Sequence, residues 1–81
     1  MRVDKFLKNS RIIKRRTVAK EACETGRVFI NDKEAKPGTE IEVGDKIQIN
    51  FGTSSMTIKV TQILEHAPKN KAQDMYEVIT E

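Results

Sequence analysis

The chain has 81 residues, 33% of them charged and 37% hydrophobic, with a net charge of +3. That length supports one domain, residues 1–81, whose thin core buries roughly 60–65% of the unfolded surface and leaves little room for a deep catalytic pocket. The lone cysteine, Cys23, excludes an internal disulfide, and no apolar run approaches the ~18 residues of a membrane span. No uninterrupted apolar stretch follows the basic N-terminus, so a secretory signal is not expected either. The expectation is a soluble, cytoplasmic, monomeric protein with no membrane contact.

The distribution of charge says more than its sum. Residues 1–20 carry eight Lys and Arg against a single acid, Asp4, a net of +7, whereas residues 21–81 carry a net of −4. Such asymmetry points to an anionic partner at one end of the molecule.

In chain order, Val3, Phe6 and Leu7 fall at i, i+3 and i+4 with Asp4 in the first turn, which predicts a short helix ending near Lys8–Ser10. Ile12 and Ile13 supply apolar anchors for the connection that follows. A second helix is expected to begin at Thr17 as N-cap, to bury Val18, Ala19, Ala22 and Cys23, and to end at Gly26 in a left-handed cap. From Arg27 the period changes to two. Val28 and Ile30 read as a strand, Asn31-Asp32 as a tight turn and Pro37-Gly38 as another. Ile41 and Val43 alternate with acids. After Gly44-Asp45, the residues Ile47, Ile49 and Phe51 form the clearest strand. Gly52 to Ser55 is a polar turn, and Met56, Ile58 and Val60 form a further strand. Ile63 and Leu64 break that phase, as a bulge or a strand end. Residues 65–74, with Pro68, read as a loop, and Tyr76, Val78 and Thr80 as a last strand at the sheet edge. Two helices followed by a small, mostly antiparallel sheet make an α+β fold, with a motif core over about 1–50 and C-terminal strands over 56–81.

Positions 11–20 hold five of the fifteen Lys and Arg residues. A solvated charged surface is the plain alternative, but Lys14, Arg15 and Arg16 immediately precede a helix start. The free N–H groups there already carry partial positive charge, so three cations are unfavourable until an anion arrives, and a phosphate suits the place. Arg2 and Lys5 belong to the same side if the two helices pack together. Asp4 could orient a neighbouring Arg, accept a hydrogen bond from a base or a 2′-hydroxyl, or cap the first helix. Phe6, Phe29 and Phe51 fall on apolar phases and read as core, and Tyr76 as edge-strand packing. That favours phosphate and shape recognition of folded RNA over base stacking. Nothing suggests an enzyme. His66 stands in a polar loop without metal-ligand spacing around it, and Cys23 reads as a buried structural thiol. The four glycines are scattered turn residues rather than a phosphate loop. No metal and no cofactor is expected.

In their order and spacing, Met1-Arg2-Val3-Asp4-Lys5-Phe6-Leu7, Ser10-Arg11, Arg15-Arg16-Thr17-Val18-Ala19-Lys20, Gly26-Arg27-Val28-Phe29-Ile30-Asn31 and Val43-Gly44-Asp45-Lys46-Ile47 resemble the S4 RNA-binding domain, or alpha-L motif. The run from Lys5 to Thr17 and the short C-terminal part look similar to the stand-alone RqcP family of bacterial ribosome-associated quality control. A related group is the fifteen-kilodalton heat-shock proteins that bind dissociated large subunits. The resemblance implies a non-enzymatic factor with large-subunit rRNA and peptidyl-tRNA as partners, acting with an RqcH-type factor that adds alanine tails to stalled chains. The heat-shock relatives imply subunit recycling instead. By the same resemblance, RNA contacts carry over to Arg2, Asp4, Lys5, Arg11, Lys14, Arg15, Arg16 and Lys20, with Asn31 and Lys33 in second rank. The hairpin turn here is Asn-Asp-Lys where many family members have Asn-Gly. Readings of another class are a protein-interaction module that uses the acidic half and an accessory domain of a modification enzyme.

Overall fold

Residues 1–65 and 69–79 are described by the structure, a computed structural model. Helix α1 spans Val3–Asn9 and α2 spans Arg16–Glu24. The strands are β1 (Val28–Ile30), β2 (Lys33–Glu34), β3 (Lys46–Asn50), β4 (Ser55–Val60) and β5 (Tyr76–Val78), with a 3-10 helix over Lys69–Met75. They form one sheet in the order β2-β1-β3-β4-β5, every neighbouring pair antiparallel. The α+β expectation holds.

Local chemistry explains most element ends. Helix α1 closes on Ser10, whose N–H donates to the Phe6 carbonyl at 2.9 Å and whose hydroxyl donates to the Leu7 carbonyl at 3.2 Å. The next residue, Arg11, takes φ 63°, a left-handed conformation in which most side chains crowd the backbone. Gly26 ends the second helix with φ 75°, a left-handed conformation that glycine adopts without strain. The Asn31-Asp32 turn has φ 51° and 70°, the two left-handed residues of a type I′ hairpin, between the paired Ile30 and Lys33.

Several expectations need correction. The N-cap of α2 is Arg15, with no side-chain cap, and Thr17 lies inside the helix. Ala19 and Cys23 are buried as expected, but Val18 is 47% exposed. Ile41 is buried outside any strand and Val43 is exposed, because this stretch forms only the isolated bridge between Glu40 and Arg2. Phe51 falls past the end of β3, where its N–H donates to the Ser54 carbonyl at 2.7 Å, and stays exposed. The 65–74 stretch is not simply a loop. Ala72 and Met75, three residues apart in the 3-10 helix, are both buried. Ile63 and Leu64 pack half-buried beyond the end of β4, so the strand ends rather than bulges. Tyr76 packs in β5 at the sheet edge, as expected. The readings that fall on His66, Pro68 and Thr80 lie outside the described residues.

One face of the sheet carries the core. Val28, Ile30, Ile47, Ile49, Ile58 and Val60 point to the same side and meet Val3, Phe6 and Leu7 of α1 and Ala19 and Cys23 of α2. The start of the chain is tied down as well. Val3 N–H donates to the Thr39 carbonyl at 2.8 Å and Ile41 N–H to the Met1 carbonyl at 3.0 Å, which sets Arg2 beside the two helices.

Candidate nucleic-acid interface

The site is built around Asp4. This carboxylate is 1% exposed, yet it sits on a helix that also carries Lys5 and Lys8. Burial of a charge requires partners, and Asp4 has three. Its Oδ1 accepts the Lys5 N–H at 2.7 Å, and its Oδ2 lies 3.1 Å from Arg2 Nη2 and 3.7 Å from Arg16 Nε. One carboxylate therefore holds two guanidinium groups, one from before α1 and one from the first turn of α2. Both arginine side chains remain about half exposed, at 47% and 49%. The pair keeps a net positive charge and unused N–H donors facing outward, with part of its rotamer freedom already removed.

Beside this pair, Arg11, Lys14 and Arg15 are exposed and form no ion pair among the described residues. Ile13, buried, and Ile12, half-buried, anchor the loop that carries them. The left-handed Arg11 turns the chain from one helix to the next. The first turn of α2 has no acidic residue and no side-chain cap, so its N–H groups are open toward the same cations. Arg2, Arg11, Lys14, Arg15 and Arg16 thus belong to one positively charged region around the α1–α2 connection.

The remaining expected contacts differ. Lys5 is ion-paired with Glu65, and Lys20 lies 3.9 Å from Glu24, one helical turn on. Asn31 has both ends of its amide in use. Its Nδ2 donates to Asp45 Oδ1 at 3.1 Å and its Oδ1 accepts the Lys46 N–H at 3.0 Å, locking the hairpin to the start of β3. Lys33 borders a groove of about 470 Å³ whose walls carry Glu34, Glu40, Glu42 and Asp45. Four carboxylates make that groove a poor place for phosphate. Asp4 itself is enclosed, and its geometry carries two of its three readings: Oδ2 orients the arginines, and Oδ1 satisfies the Lys5 N–H in the first turn of α1. Lys8, which the resemblance does not single out, is exposed in the last turn of α1 and has no ion pair among the described residues.

Cys23 lies beneath this region. Burial, followed by the negative charges of Asp4 and Glu24, pushes its thiol up to about 11. Such a thiol is a packing group rather than a nucleophile. Among the described residues no group of His, Cys, Asp and Glu could hold a metal ion.

A two-helix face of cations on an antiparallel sheet defines an RNA-binding domain of the alpha-L class, and the chain belongs to the S4 domain family, whose model matches residues 1–47. It is 51% identical over its whole length to a Listeria monocytogenes protein named RQC P-site tRNA stabilizing factor, covering 88% of that protein. It is 42% identical, again over its whole length, to the Bacillus subtilis protein of the same name, covering 94% of it. Among solved structures, the trimeric heat shock protein 15 of Vibrio cholerae superposes with a TM-score of 0.90 at 31% identity, over 98% of this chain and 81% of that one.

Proposed function

We propose that this chain is a non-enzymatic, cytoplasmic factor that binds large ribosomal subunits obstructed by peptidyl-tRNA, contacts rRNA and that tRNA together, and holds the tRNA in the peptidyl site. In this role it supports alanine tailing of the stalled chain by an RqcH-type partner. The observation that carries the reading is the Arg2–Asp4–Arg16 arrangement beside the unpaired Arg11, Lys14 and Arg15. Two pre-oriented guanidinium groups next to an uncapped helix N-terminus suit adjacent phosphates of folded RNA. The names of the Listeria and Bacillus relatives support the same reading. In this proposal Arg2, Arg11, Lys14, Arg15 and Arg16 touch RNA, Asp4 positions two of them, and Lys5 and Lys20 contribute after exchanging their carboxylate partners for phosphate.

The test is equilibrium binding of the purified chain to large subunits, with and without peptidyl-tRNA, together with analysis of nascent chains in a deletion strain. The expected results are preference for the tRNA-bearing subunits and loss of alanine tails. Equal binding to vacant subunits with tails intact would overturn the proposal. The likeness to heat shock protein 15 favours a second reading, recycling of subunits that carry nascent chain and tRNA. Under that reading, deletion slows subunit recovery and leaves the tails unchanged.

A further inference from the structure

The sheet has a second face, opposite the one that meets α1 and α2. With Val28 and Ile30 turned into the core, Phe29 must point to the opposite side. The ring is only partly covered and stands outside the core cluster, contrary to the expectation that it is a core residue. Its cross-strand neighbours are Glu34 on β2 and Gln48 on β3, and Thr57 lies opposite Gln48 on the next strand. Gln48 and Thr57 are half-buried and polar. An aromatic ring on the second strand of this face, with an amide beside it and a hydroxyl one strand further on, has a surface to stack a base and groups to bond its edge.

The charges around the ring are ordered. Arg27, two residues before Phe29, accepts the Asn50 N–H through its carbonyl at 2.8 Å and so continues the ladder on the same face. Lys46 and Lys59 pair across β3 and β4 one row to the other side. Cations therefore occupy the three central strands, on both sides of the ring. The carboxylates of this face stand on the edge strands, Glu34 of β2 directly opposite Phe29 and Glu77 of β5 directly opposite Lys59. Lys46 lies 3.7 Å from Asp32, whereas Arg27 and Lys59 form no ion pair among the described residues. A strand of unpaired nucleotides crossing the central strands would meet a cation, an aromatic face and a cation in turn. The face carries two apolar side chains, Phe29 and Ile79, whose N–H donates to the Thr57 carbonyl at 2.9 Å, and the cations around them favour a nucleotide strand over a protein segment.

We infer that the open sheet face is a second RNA site, which takes one or two unpaired nucleotides by stacking a base on Phe29, with Gln48 and Thr57 at the base edge and Arg27 and Lys59 on the flanking phosphates. It goes beyond the function proposed above and does not depend on it. The helix face grips phosphates of folded RNA, and the sheet face reads a base that folded RNA leaves free.

The test measures binding of a labelled octauridine RNA and of a blunt RNA hairpin to the full chain at about 50 mM salt. Phe29→Val removes the ring and keeps a strand-forming side chain, and Phe29→Tyr restores a stacking surface. Phe29→Val is expected to weaken octauridine binding about tenfold, the effect of one stacked base, with Phe29→Tyr within about threefold of the parent. Lys59→Glu, at an exposed site, is expected to weaken it about fivefold and serves as the second variant should Phe29→Val melt early. Arg16→Ala should reverse the order, weakening the hairpin more than the octauridine. Octauridine affinity unchanged in both Phe29→Val and Lys59→Glu overturns the inference. So does octauridine binding that falls only with Arg16→Ala. Loss of subunit association in Phe29→Val with unchanged octauridine affinity also overturns it and assigns the face to a protein. Failure of Arg16→Ala to affect subunits contradicts the helix-face function alone.

Discussion

The α1–α2 connection and the β1–β2 hairpin both carry residues suited to RNA, and the fold treats them oppositely. At the helices, Arg11, Lys14 and Arg15 are left without carboxylate partners among the described residues, and Asp4 sets Arg2 and Arg16 side by side. At the hairpin, the Asn31 amide is hydrogen-bonded at both ends, to Asp45 and to the Lys46 N–H, and Lys33 borders a groove of carboxylates. The difference teaches that residue type does not make a contact. What matters is whether folding has already satisfied the side chain, and what charge surrounds it.

Breaking the helix side should have the largest effect. Arg16→Ala is expected to weaken large-subunit association on the order of 100-fold, the worth of a charge-assisted bidentate contact. Calorimetry should find its stability within about 0.5 kcal/mol of the parent, because Arg2 still neutralises Asp4. A charge-reversing Arg16→Glu is less clean, since it sets a second carboxylate beside a buried one. Asp4→Asn keeps the size of the side chain and an acceptor for the Lys5 N–H, but removes the charge that aligns the two arginines. Titration against subunits should give about a tenfold loss of affinity, with about 1 kcal/mol of stability lost in denaturant unfolding.

On the hairpin side the balance should invert. Asn31→Ala removes two hydrogen bonds and places a less suitable residue at φ 51°, so unfolding should lose about 1–2 kcal/mol while subunit affinity stays within about twofold. The comparison is sharpened by salt. If about six phosphates are engaged, log affinity should fall against log salt with a slope on the order of −4 to −5, and a slope near zero would remove the electrostatic account.

The last effect is on stability alone and concerns Cys23. Its thiol stays protonated in the fold to about 11, from an ordinary value of 9.0. The folded state therefore favours the neutral form, and this group costs nothing below pH 9. Stability falls as pH rises from 9 toward 11, by up to about 1.4 kcal/mol per pH unit, and alkylation at pH 8 should be slow until the chain unfolds.

Much of this was legible before any coordinates. The i, i+3, i+4 spacing of Val3, Phe6 and Leu7 gives α1, and the alternation of Ile47 and Ile49 gives β3, because a face buried in a thin core leaves a strict period. Helix α2 was placed correctly but its start was not. Thr17 is the better cap by residue type, whereas the helix begins at Arg16, where Asp4 on the neighbouring helix lies 3.7 Å from its guanidinium. Propensity does not see such a contact across 12 positions of sequence. The 3-10 helix was missed because a turn anchored only by Ala72 and Met75 has no longer period to read. Phe29 reads as core when its apolar phase is taken alone, although the burial of Val28 and Ile30 on either side forces it outward. The crowding of cations around the α1–α2 connection is legible because charge can be counted by position, whereas the hydrogen bonds of Asn31 are not, because bonding across the fold is invisible in sequence.

Arg16→Ala and Lys33→Ala each remove one positive charge, and comparing their co-sedimentation with large ribosomal subunits at one salt concentration isolates position from net charge. Arg16→Ala is predicted to stay in the supernatant while Lys33→Ala pellets with the subunits like the parent chain. Equal retention of the two variants, or equal loss, would contradict the assignment of the RNA contact to the α1–α2 connection.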